Sequence, residues 1–86
     1  MSGIRSEFEN ALKQVRGLRA QPSNADLLKL YALYKQATVG DVRGARPGRL
    51  DVRDHAKYSA WEKARGLGAE EAMARYAALV AKLVSG

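Results

Sequence analysis

Apolar side chains in this chain recur every three or four residues in four separate stretches, and nowhere alternate as a half-buried strand requires. That periodicity restricts the fold to packed helices. Phe8, Leu12, Val15 and Leu18 form the first stripe, on a helix expected from about Ser6 to Arg16. Ser6 and Glu9 have the spacing of a capping box, and Gly17 suits a terminator. A second helix is expected from about Asn24 to Thr38, capped by Ser23, with Asp26 at its positive end and Gly40 just beyond its last turn. Leu27, Leu30, Tyr31, Tyr34 and Ala37 share one side of it, and Leu28 widens the stripe. The third is expected from about Val52 to Arg65, with Asp51 as cap, Gly66 as stop and Ala56, Tyr58 and Trp61 as packing surface. The fourth runs from about Ala69 to Val84 behind Gly68, with Met73, Tyr76, Ala77, Val80, Leu83 and Val84 as its stripe.

A length of 86 residues suits one domain, residues 1–86, and a hydrophobic content of 47% is enough for a packed core. The segment from Val39 to Leu50 is a long connection, with a turn expected at Arg46-Pro47-Gly48. In so small a bundle a link of that length serves function or crosses over the helices. The expected class is therefore all-α, a four-helix bundle with a long crossover connection between helices 2 and 3.

Cysteine is absent, which excludes disulfides, thiolate zinc sites and thiol nucleophiles. His55 is the single histidine, so neither a metal site nor a catalytic triad is supported. Asp54 and His55 look like an acid–base pair, but adjacent helix residues diverge and no nucleophile accompanies them. The polar start and the lack of a membrane-length apolar run argue for the cytoplasm. The net charge of +6 attracts anions: nucleic acid, anionic lipid or a phosphorylated small molecule.

Tyr31, Tyr34 and Lys35 stand at i, i+3 and i+4 and so project from one helix face. Two readings of that face are open. Tyrosines on an apolar stripe are commonly core residues, with a neighbouring lysine that snorkels to water. Alternatively, a ring stacks on a base, a phenol donates to a phosphate oxygen and an ammonium supplies charge, which suits an adenine nucleotide.

The run Tyr34-Lys35-Gln36-Ala37-Thr38-Val39-Gly40-Asp41 closely resembles the signature of the acyl-CoA binding protein family. Arg46-Pro47-Gly48, Ala56-Lys57-Tyr58-Ser59-Ala60-Trp61, Ala72-Met73 and Tyr76 follow in the family's order and approximate spacing. The resemblance runs from Phe8 to the last helix. It implies a four-helix bundle with an overhand connection, binding long-chain acyl-CoA esters without turnover. It also places the phosphate-binding pair on Tyr31 and Lys35, the adenine-facing tyrosine on Tyr34, and a further lysine on Lys57. Tyr76 falls on the family's nucleotide-side tyrosine and Arg16 on its late basic position in the first helix. The acyl groove falls on Leu12, Leu27, Leu28 and Ala56.

Departures are also visible. Asp54 and His55 replace a usual Gly-Lys, Tyr58 a usual tryptophan and Arg43 a typical asparagine, while Arg53 can compensate for the lost cation. The ester is a ligand, so no cofactor and no metal are expected. A monomer is expected, with no nucleic acid partner and no stable membrane insertion, and with transient contact to acyl-CoA-using enzymes or a membrane surface. The rival classes are a basic nucleic-acid module, a thioesterase and an interfacial helix. They lack, respectively, a dense basic stripe, a nucleophile and a helix without a core-facing stripe.

Overall fold

A computed structural model describes residues 3–85 and contains four helices: α1 (Ile4–Arg16), α2 (Asn24–Thr38), α3 (Val52–Lys63) and α4 (Ala69–Ser85). Ser23 Oγ accepts the Asp26 amide at 3.1 Å and so caps α2 as expected. Gly40, at φ 103°, carries the chain out of α2 in the left-handed region, and its N–H returns to the Lys35 carbonyl at 3.1 Å.

Other expected punctuation moves. Ser6 does not cap α1: the helix begins one turn earlier, behind Gly3, whose carbonyl accepts from Glu7 at 3.0 Å. The extra turn brings Ile4 against the core beside Phe8, a gain larger than one surface cap. Asp51 sits at the N-cap of α3, but its side chain makes no capping bond there. α3 stops at Lys63 rather than Arg65, because residues 64–66 form a looser turn that ends at Gly66, φ 94°. The turn expected at Arg46-Pro47-Gly48 lies two residues later: Gly48 is its first residue and accepts from the Asp51 amide at 3.0 Å.

The packing order is α1–α4–α2–α3. The α4 backbone lies against α1 and α2, and that of α2 against α3, while α1 reaches α2 through side chains, Phe8 on Tyr34. The molecule is a slab with extents of 41 × 28 × 15 Å, thin for four helices each about 10–12 Å across. α2 and α3 run parallel, since Tyr31 meets Lys57 and, one turn further along both helices, Lys35 meets Trp61. The long connection makes that parallel pairing feasible.

The core lies where α4 meets α1 and α2. Phe8 and Ala11 from α1, Leu30 and Ala37 from α2, and Ala72, Met73, Tyr76 and Val80 from α4 form it. Complete burial of Val80 contributes about 1.5–3 kcal/mol. α2 is central and buries both flanks: Leu30 and Ala37 on the core cluster, Ala32 and Gln36 elsewhere. Leu27 and Tyr34, expected on its apolar stripe, are exposed.

The connection is pinned at four points, one of them the Tyr58 hydroxyl, which donates to the Gly44 carbonyl at 3.1 Å. Trp61 Nε1 donates to the Gly40 carbonyl at 2.8 Å. Arg46 bonds Glu62 Oε1 at 2.6 Å and Ser59 Oγ at 3.3 Å, with its guanidinium 4.9 Å from the Tyr58 ring centre. Asp41 Oδ1 accepts from Gln36 Nε2 at 2.7 Å and from the Gly66 amide at 2.9 Å, tying the ends of α2 and α3 together. The Gly66 amide, then Gln36, holds the Asp41 carboxyl below its ordinary 3.8.

Candidate functional site

Two turns of α2 and two of α3 form a crossed pair of cation–ring contacts. Lys35 of α2 places Nζ 4.9 Å from the Trp61 ring centre on α3, and Lys57 of α3 places Nζ 5.1 Å from the Tyr31 ring centre on α2. On each helix the ring and the lysine are four residues apart, so the two ammoniums stand along one seam, staggered by about a helical turn of 5.4 Å. Each cation–π contact is worth about 0.5–1 kcal/mol near the surface and orients a side chain that is otherwise mobile. Neither lysine has a carboxylate within ion-pair distance among the described residues; the two ion pairs there are Arg46–Glu62 and Arg75–Glu71. Two like charges held on one seam without a counter-ion favour an anion that bridges them.

Tyr34 stands beside this seam, 41% exposed. Its ring lies 6.3 Å from Phe8 at 29°, stacked, and Phe8 meets Tyr76 edge-on at 5.2 Å and 76°. Phe8 thus backs Tyr34 from α1 while part of the tyrosine remains open. Tyr76 is 4% exposed and belongs to the core as much as to any surface. Burial, and then the neighbouring Tyr34, pushes its phenol above 10.0, so it is a neutral donor at physiological pH. Arg16 is exposed in the last turn of α1 and makes no ion pair among the described residues.

The structure therefore brings Tyr31, Lys35 and Lys57 together, with Trp61 as a fourth member, and sets Tyr34 on Phe8 and Tyr76. It shows no contact joining Arg16 to either group. Trp61 was legible as core, and it is buried, but its ring is also the platform for Lys35. No pattern within either helix signals that platform, because it joins a lysine of α2 to a ring of α3.

Of the four groove candidates, Leu12, Leu28 and Ala56 are half-buried and Leu27 is exposed. A trough of about 650 Å³ lies on α2 between α3 and α4, lined mainly by apolar side chains that include Ala25, Leu28, Ala32, Ala60, Ala64 and Leu67, together with Lys29, Lys63 and Arg75. Leu28 is the candidate it shares; Leu12, Leu27 and Ala56 do not line it.

The family model described as "Acyl CoA binding protein" matches residues 5–80, which include every helix in large part. The chain belongs to the acyl-CoA binding protein family. Acyl-CoA-binding protein homolog 1 of Caenorhabditis elegans is 46% identical over 78 residues, 91% of this chain and 91% of that protein. The acyl-CoA-binding protein of Brassica napus is 45% identical over 82 residues, 95% and 89% of the two chains. Among solved structures, Acyl-CoA-Binding Protein 2 of Oryza sativa superposes with a TM-score of 0.90 at 43% identity, covering 96% of this chain and 92% of that one. The ACBP from Moniliophthora perniciosa gives 0.86 at 33% identity, over 96% and 80%. These likenesses establish the all-α acyl-CoA binding protein fold expected from sequence. No helix among the described residues is long and apolar enough to cross a membrane.

Proposed function

We propose that the chain binds and carries medium- to long-chain fatty acyl-CoA esters in the cytoplasm, as a monomer and without turning them over. The observation that carries this is the crossed pair Lys35/Trp61 and Lys57/Tyr31, two oriented and unpaired cations on one seam. A 3′-phosphate between them accepts a charge-assisted hydrogen bond from each, about twice as strong as a neutral one. Tyr31 donates a further bond, and the open part of Tyr34, backed by Phe8, stacks on adenine. Tyr76 and Arg16 complete the nucleotide side, and Leu12, Leu27, Leu28 and Ala56 take the acyl chain. Each methylene removed from water adds about 0.8 kcal/mol.

Leu50 and Val52, 100% and 74% exposed, sit beside Arg49 and Arg53. That combination suits transient contact with an anionic membrane surface, where apolar side chains and cations both gain.

Calorimetric titration with free CoA, octanoyl-CoA and palmitoyl-CoA tests the proposal. Affinity rises along that series, and no free thiol appears on long incubation. Equal affinity for free CoA and palmitoyl-CoA overturns the acyl-binding reading, and thiol release overturns the non-catalytic one.

A further inference from the structure

We propose that the trough on α2 between α3 and α4 receives the distal end of a long acyl chain, and that its alanines set the longest chain the protein accommodates. The inference rests on the acyl-CoA reading above. α3 and α4 do not pack on each other, so α2 is left as a floor between them. Ala25 and Ala32 come from α2, Ala60 from α3 and Ala64 from the turn that follows it; leucines or phenylalanines there would fill the space. The volume of about 650 Å³ falls in the range of small-ligand sites, which are also mainly apolar.

Continuity with the acyl groove identifies the occupant. Leu28 belongs to both, and Ala60, in the trough, lies one turn beyond Ala56 on the same row of α3. With the 3′-phosphate held between Lys35 and Lys57, the acyl chain at the other end of the ligand can pass Leu28 and Ala56 and continue along Ala60 and Ala64. The lining offers a flexible tail mainly apolar surface, while the exposed Lys29, Lys63 and Arg75 can lay their methylene stems over the chain and keep their charged ends in water, Arg75 beside Glu71.

The test fills the trough from its accessible side, with Ala25→Leu and Ala60→Leu, both helix-compatible residues short of full burial. Dissociation constants for octanoyl-, palmitoyl- and arachidoyl-CoA are compared by calorimetry. Octanoyl-CoA should stay within about twofold of the unaltered protein. The two long esters should weaken about tenfold or more, since each displaced methylene is worth about fourfold. A second measurement uses the unaltered protein and a stearoyl-CoA bearing a nitroxide near its methyl end. The label should broaden the amide signals of Ala32, Ala64 and Leu67.

Equal losses for short and long esters, no loss for the long ones, or broadening centred on Leu12 and Phe8 would overturn the assignment. So would saturation of the trough by palmitate alone with palmitoyl-CoA affinity unchanged. Failure of the unaltered protein to bind any acyl-CoA would instead refute the reading on which the inference rests.

Discussion

Replacing Lys35 or Lys57 by alanine separates a phosphate site from generic basicity. Each lysine gives up one cation–ring contact, at 4.9 Å on Trp61 or 5.1 Å on Tyr31, worth about 0.5–1 kcal/mol. That part of the loss belongs to the unliganded protein, and a thermal melt reads it as a fall of a few degrees, at about 4–8 °C per kcal/mol for a domain of this size. The ligand-dependent part is larger. A hydrogen bond to an ionised group is worth about 1.5–3 kcal/mol, so palmitoyl-CoA should bind about tenfold to a hundredfold more weakly. With palmitoyl-dephospho-CoA, which lacks the 3′-phosphate, the same substitutions should cost less than about 0.5 kcal/mol, as surface changes do. The assay is a double cycle of lysine substitution against phosphate removal, by calorimetry at fixed salt. The expected coupling is most of the 1.5–3 kcal/mol for each lysine. Lys82, in the last turn of α4 and outside the seam, serves as the control. Additive losses, with no coupling for either lysine, would refute the crossed-pair site even if acyl-CoA still bound.

Tyr34→Phe should keep most of the affinity for palmitoyl-CoA, and Tyr34→Ala should lose about 1–3 kcal/mol of it with the fold intact, since the ring is 41% exposed; a large fall in melting temperature with unchanged affinity would make the ring a packing residue instead. For Asp41 the native carboxyl lies below its ordinary 3.8, so its contribution is fully present above that pH and is lost as pH falls through the lowered native value. The gap in melting temperature between the unaltered protein and Asp41→Asn should therefore be constant near neutrality and close below about pH 4, and a gap that persists unchanged into acid would contradict the role given to the Gly66 and Gln36 bonds.

What could be read from the chain follows from how local its causes are. The bounds of α2 were legible because Ser23 and Gly40 act within one turn of the residues they punctuate. Ser6 misled for the converse reason. A capping box is a local signal of about 1 kcal/mol, while the start of α1 is decided by Ile4 reaching a core that α4 helps to build from the other end of the chain. The connection was legible as long and crossing. Its anchors were not, because Arg46 finds Ser59 and Glu62 only once α3 is laid parallel to α2.

Tyr31, Lys35 and Lys57 were carried by the family's pattern, whereas spacing left Tyr31 and Lys35 undecided between core and site. The structure shows why spacing could not choose. Each lysine spans from its own helix to a ring on the other, and no single-helix pattern contains that partnership. The trough was the least visible feature. It exists because side chains are small at Ala25, Ala32, Ala60 and Ala64 and because α3 and α4 stay apart. Alanine in a helix reads as good helix propensity whether it faces a neighbour, solvent or a gap. Four alanines become a cavity only when the packing order α1–α4–α2–α3 leaves both flanks of α2 to be filled. On the flank toward the core, Leu30 and Ala37 meet Met73, Tyr76 and Val80 in close packing. On the other, Leu28, Leu33, Leu67 and Leu79, with Lys29, Lys63 and Arg75, frame the alanines without filling the gap, and the space that remains has the mainly apolar lining and the continuity with Leu28 that a longer acyl chain requires.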